Sequence, residues 1–390
     1  MRKHKASMTR RNALKMIAGA TGAVISAPMI NIGRYKLFGQ TQGEYSARAI
    51  SIIERSLVID MLSPLSINSS EYTKWLQDPD TFTHDEWKKF QTSAINVFHP
   101  AFGIGGPNAY ETVLRFLASW NSFLANHDQL FMRIDSAADL DRVKKSGKIG
   151  LLLGIQNSDH FRRVTDVNFF HSIGQRVSQL TYNSRNWIGS GSTERSDGGL
   201  SDFGASIVER MNKIGMAVDV SHCGDQTTLD AFDVSKKPVL ITHSNCRALV
   251  EGHPRCKTDE AIRKMAATGG VMGITGVRMF VRSEEPTTIE HAIDHFDHVA
   301  KLVGVEHVGV GSDSDLEGYD DLPQSLNAAL RRGYKESYAF REKIDIEGLD
   351  HPKRMYDLAE ALIRRGYSDS DIEGILGGNF RRVLSDIWSA

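Results

Sequence analysis

The chain has 390 residues, and its 47 Lys and Arg side chains nearly balance its 48 Asp and Glu side chains, giving a formal net charge of -1. That balance leaves no basic surface to hold a phosphate backbone, which argues against nucleic-acid binding. A hydrophobic fraction of 41% suits a large globular core and argues against disorder, and three cysteines cannot form a disulfide framework in so long a chain.

The N-terminal segment has the pattern of an export signal. Basic residues dominate its first part, including the pair Arg10-Arg11, and residues 16–29 are apolar and rich in Gly and Ala. This apolar stretch is too short for a spanning helix, and the paired arginines are typical of a twin-arginine signal. We therefore predict a twin-arginine-type signal peptide over residues 1–35 and an exported, periplasmic protein without a membrane span after cleavage. An uncleaved signal that acts as a membrane anchor is the alternative.

The rest of the chain, residues 36–390, is predicted to form one domain. Short β-branched runs alternate with helical segments, which is the pattern of a parallel sheet with crossover helices. Eight such units fit an α/β fold of the (β/α)8 TIM-like barrel type, with loop insertions, better than an open sheet. The predicted strands are Leu57–Ile59, Ala94–Phe98, Ile149–Ile155, Arg176–Leu180, Ala217–Val220, Val239–Ile241, Val271–Ile274 and His307–Val310.

Polar side chains follow most of these strands. In a barrel of this type the carboxyl ends of the strands share one mouth, where residues far apart in sequence meet around a metal or a substrate. The residues at these positions, in strand order, are Asp60, His99, Gln156, Tyr182, His222, His243, Thr275 and Asp313.

Two of them form the strongest pair. His222 and His243 each end an apolar run, and one crossover separates the runs, so two imidazoles on adjacent strands are predicted to bind zinc. Asp219, just before His222, either fixes the tautomer of a ligand or caps a helix. Asp313 is a ligand, a general base or both, with an Asx turn as the structural alternative.

Several motifs resemble the renal or membrane dipeptidase family of the amidohydrolase superfamily. They run in the family's order over nearly the whole predicted domain. In chain order, these motifs are Gly199-Leu200-Ser201-Asp202-Phe203-Gly204, Ser221-His222, His243-Ser244, Gly311-Ser312-Asp313-Ser314-Asp315 and Ile375-Leu376-Gly377-Gly378-Asn379-Phe380. The first and the last are the most specific.

The resemblance implies a barrel with a two-zinc site that hydrolyses dipeptides and some lactams. By position, His222 and His243 match the ligands of one zinc, and Asp313 matches the carboxylate that binds the other zinc and carries the proton. Arg255 matches the arginine that holds the substrate carboxylate, a task that suits the two parallel donors of a guanidinium. A surface ion pair with Asp259 or Glu260 is the alternative for Arg255.

The sequence departs from the family's pattern on one side of the site. Leu62 and Pro64 stand where the family has a histidine and an aspartate ligand, Gln156 replaces the bridging glutamate, and Tyr182 replaces a substrate-contacting histidine. An amide is a much poorer zinc ligand than a carboxylate. We therefore expect one zinc ion, held by His222 and His243 and completed by Asp313, Gln156 or water, and no second zinc.

The remaining candidates surround this centre. Tyr182 is expected either to donate a hydrogen bond to a developing oxyanion or to pack, and His99 and His160 are expected as substrate contacts or loop residues. The leading hypothesis is an exported metal-dependent hydrolase for a small dipeptide-like amide, ester or lactone. A metal-dependent lyase or isomerase acting on a carbonyl compound and a non-catalytic homologue are the alternatives. The expected partner is a small-molecule substrate, and a homodimer is left open.

Overall fold

A computed structural model describes residues 44–67, 71–320 and 324–389. The chain divides into Met1–Ser46 and Ala47–Ala390, and every element named below belongs to the second unit. The predicted signal peptide lies outside the described residues. Within the described ranges, no helix is both long enough and apolar enough to cross a lipid bilayer.

Short parallel strands form the centre of the unit. The pairing order is β1-β2-β4-β3, β5-β6-β7 and β8-β9-β10, and β5 continues from β4 after two residues, so that the two act as one bent strand. The strands are β1 (Ile59–Asp60), β2 (Val97–Phe98), β3 (Phe131–Arg133), β4 (Ile149–Leu151), β5 (Gly154–Ile155), β6 (Val177–Gln179), β7 (Ala217–Asp219), β8 (Ile241–Ser244), β9 (Met272–Ile274) and β10 (Val308–Val310).

Two further contacts join these sheets into a ring. A parallel bridge between Asp219 and Leu240 connects β7 to the start of β8. The amide of Met61 donates to the carbonyl of Val310 at 2.9 Å and connects β10 to β1. The eight predicted strands each overlap one position of this ring, so the predicted barrel is confirmed. The additional strand β3 was not predicted, because its Phe-Met-Arg sequence contains no β-branched residue.

Amphipathic helices surround the strands, and their apolar faces supply much of the buried core. The helices are α1 (Ala47–Arg55), α2 (Glu71–Gln77), α3 (His84–Thr92), α4 (Ala109–Asn126), α5 (Ala137–Ser146), α6 (Asp166–Ser172), α7 (Asp202–Ile214), α8 (Asp225–Val234), α9 (Asp259–Ala267), α10 (Arg278–Val281), α11 (Ile289–Val303), α12 (Gln324–Gly333), α13 (Arg354–Arg365), α14 (Asp369–Glu373) and α15 (Asn379–Trp388).

Two of the family-like motifs perform structural tasks. Ser201 caps α7, because its hydroxyl accepts a hydrogen bond from the amide of Gly204 at 2.9 Å. Near the C-terminus, the amide group of Asn379 donates to the carbonyls of Val305 and Val308, each at 2.8 Å, and so anchors β10. A side chain at Gly377 would come within 2.1 Å of the carbonyl of Leu57, which explains the small residue there.

A buried histidine is expected to make the fold sensitive to acid. His295 on α11 accepts from the amide of Cys246 at 3.0 Å and contacts the carbonyl of Val281 at 2.9 Å, an arrangement that suits the neutral ring. Burial lowers the pKa of His295 from 6.5 to about 4. Between pH 6.5 and pH 4, this histidine therefore binds a proton in the unfolded chain but not in the folded chain. Its contribution to the free energy of unfolding is fully present above pH 6.5 and is lost as the pH falls toward 4.

The expected loss from this one group is about 2 kcal/mol in the free energy of unfolding between pH 7 and pH 5. Urea unfolding at both pH values should therefore show a smaller decline in His295→Gln than in the parent protein. His298→Gln, on the same helix but nearer the surface, controls for the loss of an imidazole. Equal declines in His295→Gln and the parent protein would show that His295 does not contribute to the acid sensitivity.

Candidate active site

A cavity of about 310 Å³ lies at the carboxyl ends of the strands. Its wall includes Gln156, Tyr182, His222 and Asp313, which follow β5, β6, β7 and β10. The structure thus brings together four of the side chains expected to converge. The volume suits a small organic molecule rather than a polymer.

The two histidines meet directly. Nε2 of His222 lies 2.9 Å from Nε2 of His243, and both side chains are buried. His243 belongs to β8, whereas His222 lies three residues beyond the end of β7. The pairing of these neighbouring strands therefore sets the separation of the two rings.

The other ring nitrogen of each histidine has a hydrogen-bond partner. Nδ1 of His222 lies 2.7 Å from Oδ1 of Asn183, to which it donates. Nδ1 of His243 lies 2.8 Å from Oγ1 of Thr242, and that hydroxyl donates its own proton to Oδ2 of Asp219 at 2.7 Å. Oγ1 of Thr242 is therefore left to accept from Nδ1 of His243. Both Nε2 atoms then carry lone pairs, and these lone pairs face each other.

No proton is expected to bridge the pair. Burial lowers the pKa of both His222 and His243 well below the usual range, and the nearby guanidinium of Arg255 lowers both further. Two neutral imidazoles with converging lone pairs are a suitable arrangement for binding a cation. Asp219 thus serves His243 indirectly, through Thr242, and is not the cap of a neighbouring helix.

The residues around the pair include two that offer no donor atom to a metal. Leu62 and Pro64 line the cavity, and neither side chain can bind a metal. Within the described ranges, no three His, Cys, Asp or Glu side chains are grouped closely enough to hold an ion. A metal bound here would be held by the two facing imidazoles, with the remaining positions open to Asp313, Gln156 or water.

Asp313 is held in an unusual backbone conformation. Its φ is +55°, in the left-handed region, and its amide donates to the carbonyl of Leu62 at 2.8 Å. Burial raises the pKa of its carboxyl to about 6, a net value in which Arg255 opposes the shift and Asp60 adds to it. Asn183, the partner of His222, has a φ of +59°. Left-handed non-glycine residues are uncommon and concentrate at functional sites.

Gln156 and Tyr182 stand where the family resemblance implies a glutamate and a histidine. Nε2 of Gln156 donates to the carbonyl of Ala101 at 2.7 Å, which leaves the amide oxygen as the atom that can bind a ligand. The ring of Tyr182 stacks on that of His222, with centroids 4.2 Å apart, and its hydroxyl lies 2.7 Å from that of Tyr334. Burial raises the pKa of Tyr182 well above its usual value, so the phenol stays protonated.

Arg255 lies behind the histidines and not on the wall of this cavity. Its guanidinium donates to the carbonyls of Ser221 and His243, each at one of its two terminal nitrogens, and the side chain is 1% exposed. The expected contact with a substrate carboxylate is therefore replaced by contacts with the main chain that carries the histidines. The surface ion pair considered as an alternative is also absent from the described contacts, because Arg255 is buried.

The two other predicted histidines lie away from the cavity wall. His99 is buried, and its Nδ1 bonds the carbonyl of Leu152 at 2.7 Å. His160 is also buried, with Nδ1 3.1 Å from the carbonyl of Asn157 and Nε2 3.0 Å from Oε1 of Gln175. Because both nitrogens of His160 are occupied, a structural role suits it better than the expected substrate contact.

The cysteines are buried thiols. Burial raises the pKa of Cys223, Cys246 and Cys256, in the last case to about 12, so none of them is a thiolate near neutral pH. Sγ of Cys246 and Sγ of Cys256 contact the main-chain carbonyls of His295 and Phe280. Their position near the site in sequence does not make them ligands.

Sequence reasoning missed three side chains of the site. Asn183 and Thr242, the partners of the two imidazoles, each adjoin a strand-end residue that was identified, so their positions were the available signal. Tyr334 was not detectable in this way, because it follows α12 and no spacing links it to Tyr182.

The fold and the site define an α/β barrel with a paired-histidine centre at the carboxyl ends of its strands. The sequence pattern of the membrane dipeptidase family, peptidase family M19, matches residues 47–338 and 340–389. The chain therefore belongs to this family, as the motifs indicated.

Curated relatives include the dipeptidase VerJ of Clonostachys rogersoniana, 33% identical over 256 residues that make up 65% of this chain and 59% of that protein. The dipeptidase TcpJ of Claviceps purpurea is 30% identical over 255 residues, 64% of this chain and 54% of that protein. The chain thus aligns with less than two thirds of the length of these relatives.

Solved structures share the fold. An amidohydrolase from Pseudomonas aeruginosa superposes with a TM-score of 0.73 at 27% identity, over 87% of this chain and 99% of that chain. The probable dipeptidase PvdM from Pseudomonas aeruginosa superposes with a TM-score of 0.71 at 20% identity, over 87% of this chain and 97% of that chain. This second likeness concerns the fold alone.

Proposed function

We propose that the protein is a metal-dependent hydrolase for a small dipeptide-like amide, ester or lactone. The observation that carries this function is the small cavity whose wall holds His222 and Asp313, with His243 2.9 Å from His222. Membership of the membrane dipeptidase family and the dipeptidase names of relatives support the same reaction class.

His222 and His243 would hold one divalent cation, for which zinc is the first candidate because neutral imidazoles suit it. Asp313 and Gln156 line the same cavity and would complete the site together with water. A bound divalent cation lowers the pKa of water and polarises a carbonyl oxygen.

Asp313 is the proton carrier in this scheme. With a pKa of about 6, its carboxylate is mostly ionised at neutral pH and is a stronger base than an ordinary aspartate. It accepts a proton from the attacking water while the water oxygen bonds to the substrate carbonyl carbon. It then passes that proton to the leaving nitrogen or oxygen as the bond to the carbonyl carbon breaks.

Tyr182 provides a neutral donor beside the reacting carbonyl. Its phenol keeps its proton and is paired with the hydroxyl of Tyr334 at 2.7 Å. If Tyr334 donates to Tyr182, the proton of Tyr182 is free to stabilise the oxyanion that develops in the cavity.

Hydrolysis is tested with purified protein, supplied with zinc and offered dipeptides, N-acyl amino acids and lactones. We expect zinc-dependent turnover of at least one class, and no turnover in Asp313→Asn, which keeps the shape of the side chain and loses the base. Metal uptake without hydrolysis of any class would contradict the hydrolase function and favour a lyase or isomerase. Absence of both metal uptake and hydrolysis would favour a non-catalytic homologue.

The hydrogen bond from His222 to Asn183 is expected to tune metal affinity. Asn183→Gly tolerates the left-handed backbone but removes Oδ1, whereas Asn183→Asp keeps an acceptor there. Loss of such a partner typically weakens metal binding by about 10- to 100-fold. Competition titration with a zinc chelator should therefore show weaker binding in Asn183→Gly and near-parent binding in Asn183→Asp. Equal affinities in the two variants would contradict this role.

We propose in addition that residues 1–35 direct export of the protein. This rests on the basic start of the chain, the pair Arg10-Arg11 and the apolar stretch after it. Substitution of both arginines by lysine in the full chain keeps the charge and removes the guanidinium pair. We expect the parent in the periplasmic fraction and the double variant retained in the cytoplasm, and equal export would contradict the twin-arginine route.

A further inference from the structure

Aromatic side chains form much of the cavity wall. Tyr72 and Phe102, from α2 and the loop after β2, have stacked rings with centroids 4.8 Å apart. Tyr334, Tyr338 and Phe340 form a second group, in which Tyr334 and Tyr338 stack at 4.4 Å and Tyr338 and Phe340 at 5.6 Å. So many rings on one small cavity favour a ligand that offers a flat apolar surface.

The second group connects to the proposed reaction centre. Tyr334 bonds Tyr182 through the two hydroxyls at 2.7 Å, and the ring of Tyr182 stacks on His222 at 22° between the ring planes. Aromatic surface therefore runs without interruption from Phe340 to the histidine pair. A ring bound on this surface would lie next to the proposed reaction centre.

The charges on the wall are of one sign. Among the described residues that line this cavity, the ionisable acids are Asp313 and Asp315, and there is neither a lysine nor an arginine. Arg255 lies behind the wall, and its two terminal nitrogens donate to the carbonyls of Ser221 and His243. Away from the cation proposed at the histidine pair, a negatively charged group on the ligand would therefore lose water without gaining a positively charged partner among the described residues of this wall.

We propose that the cavity selects a substrate with an aromatic ring beside the scissile bond, and that the part of the substrate held there carries no negative charge. This substrate class rests on the proposed hydrolase function and narrows it. A free dipeptide, which presents a carboxylate close to its amide bond, fits the cavity less well than an aromatic amide or ester whose carboxyl group is masked.

Binding of three matched probes tests this selectivity by calorimetry on the zinc-supplied protein. The probes are racemic N-acetylphenylalaninamide, N-acetylleucinamide and N-acetylphenylalanine. The second lacks the aromatic ring and the third adds a negative charge, so the effects of the ring and of the charge on binding are measured separately. We expect the first to bind roughly tenfold more tightly than either of the others. Equal binding of the leucine amide, or tighter binding of the free acid, would overturn the proposed selectivity.

Variants of Tyr334 test whether the ring of this residue causes the preference for the aromatic amide. Tyr334→Phe keeps the ring and should keep the preference for the aromatic amide, whereas Tyr334→Leu should reduce that preference. Tyr110→Leu is the matched control, because the ring of Tyr110 stacks with Phe169 and lies outside the cavity wall. Retained binding of the leucine amide by Tyr334→Leu would show that the variant is folded. A preference that is unchanged in Tyr334→Leu would contradict the assignment.

The probes also separate this inference from the proposed function. Selective binding of the aromatic amide without hydrolysis of any compound class would support the aromatic site and count against the hydrolase. Hydrolysis that is indifferent to the ring would support the hydrolase and overturn the aromatic site.

Discussion

Replacing His243 by alanine is expected to remove bound metal and to lower the hydrolysis rate on the order of a thousandfold, because a metal supplies several kcal/mol of stabilisation to a developing charge. His243 contributes one of the two facing lone pairs, and its Nε2 lies 2.9 Å from Nε2 of His222. The remaining imidazole alone is a weak site.

Metal content and initial rates are measured on the same preparations. His298→Ala is the matched control, since this histidine on α11 pairs with Asp259 at 2.7 Å and lies outside the cavity wall. Far-UV circular dichroism identifies any loss of fold. A His243→Ala protein that keeps its metal and its rate would show that the reaction takes place without the histidine pair.

The second large effect concerns stability. Arg354 is completely buried, pairs with the buried carboxylate of Asp60 at 3.2 Å, and also donates to Oγ of Ser63 at 2.8 Å. Arg354→Met would leave the charge of Asp60 buried without its partner, which typically costs about 3–5 kcal/mol. Asp60 in turn accepts a hydrogen bond from the amide of Ser312 at 2.8 Å. The Asp60–Arg354 pair therefore connects the end of β1 to the loop after β10.

Urea unfolding measures this loss. Arg364→Met is the matched control, because Arg364 pairs with Glu290 at the surface and exposed pairs contribute at most about 1 kcal/mol. The double variant Asp60→Asn with Arg354→Met should lose less than the sum of the two single variants, since neither charge is left alone. Similar losses in the free energy of unfolding for Arg354→Met and Arg364→Met would show that the buried pair does not stabilise the fold more than a surface pair does.

Much of the fold was predictable because short apolar runs alternate with helical segments along the sequence. Each apolar run marked a strand of the barrel, and four of the residues just beyond the strands lie on the cavity wall, including His222 and Asp313. The exception, β3, contains no β-branched residue, so local composition did not mark it. The Gly-Leu-Ser and Gly-Gly-Asn-Phe motifs identified the family through a helix cap and a strand anchor rather than through chemistry.

The direction of individual side chains was not predictable. Arg255 was expected to face a substrate, but the carbonyls of Ser221 and His243 lie within its reach once β7 and β8 pair. His160 satisfies both ring nitrogens inside the protein. Tyr334 reaches Tyr182 across 152 positions in sequence, a contact that depends on tertiary packing and leaves no local pattern.

Zinc stoichiometry is the most direct test of the central claim, which is a hydrolase with one metal at His222 and His243. Purified protein is equilibrated with excess zinc, dialysed against metal-free buffer and examined by mass spectrometry for metal per chain. We expect one zinc per chain in the parent protein and none in His243→Ala. Two zinc ions per chain, or none in a parent protein that is still active, would contradict this account.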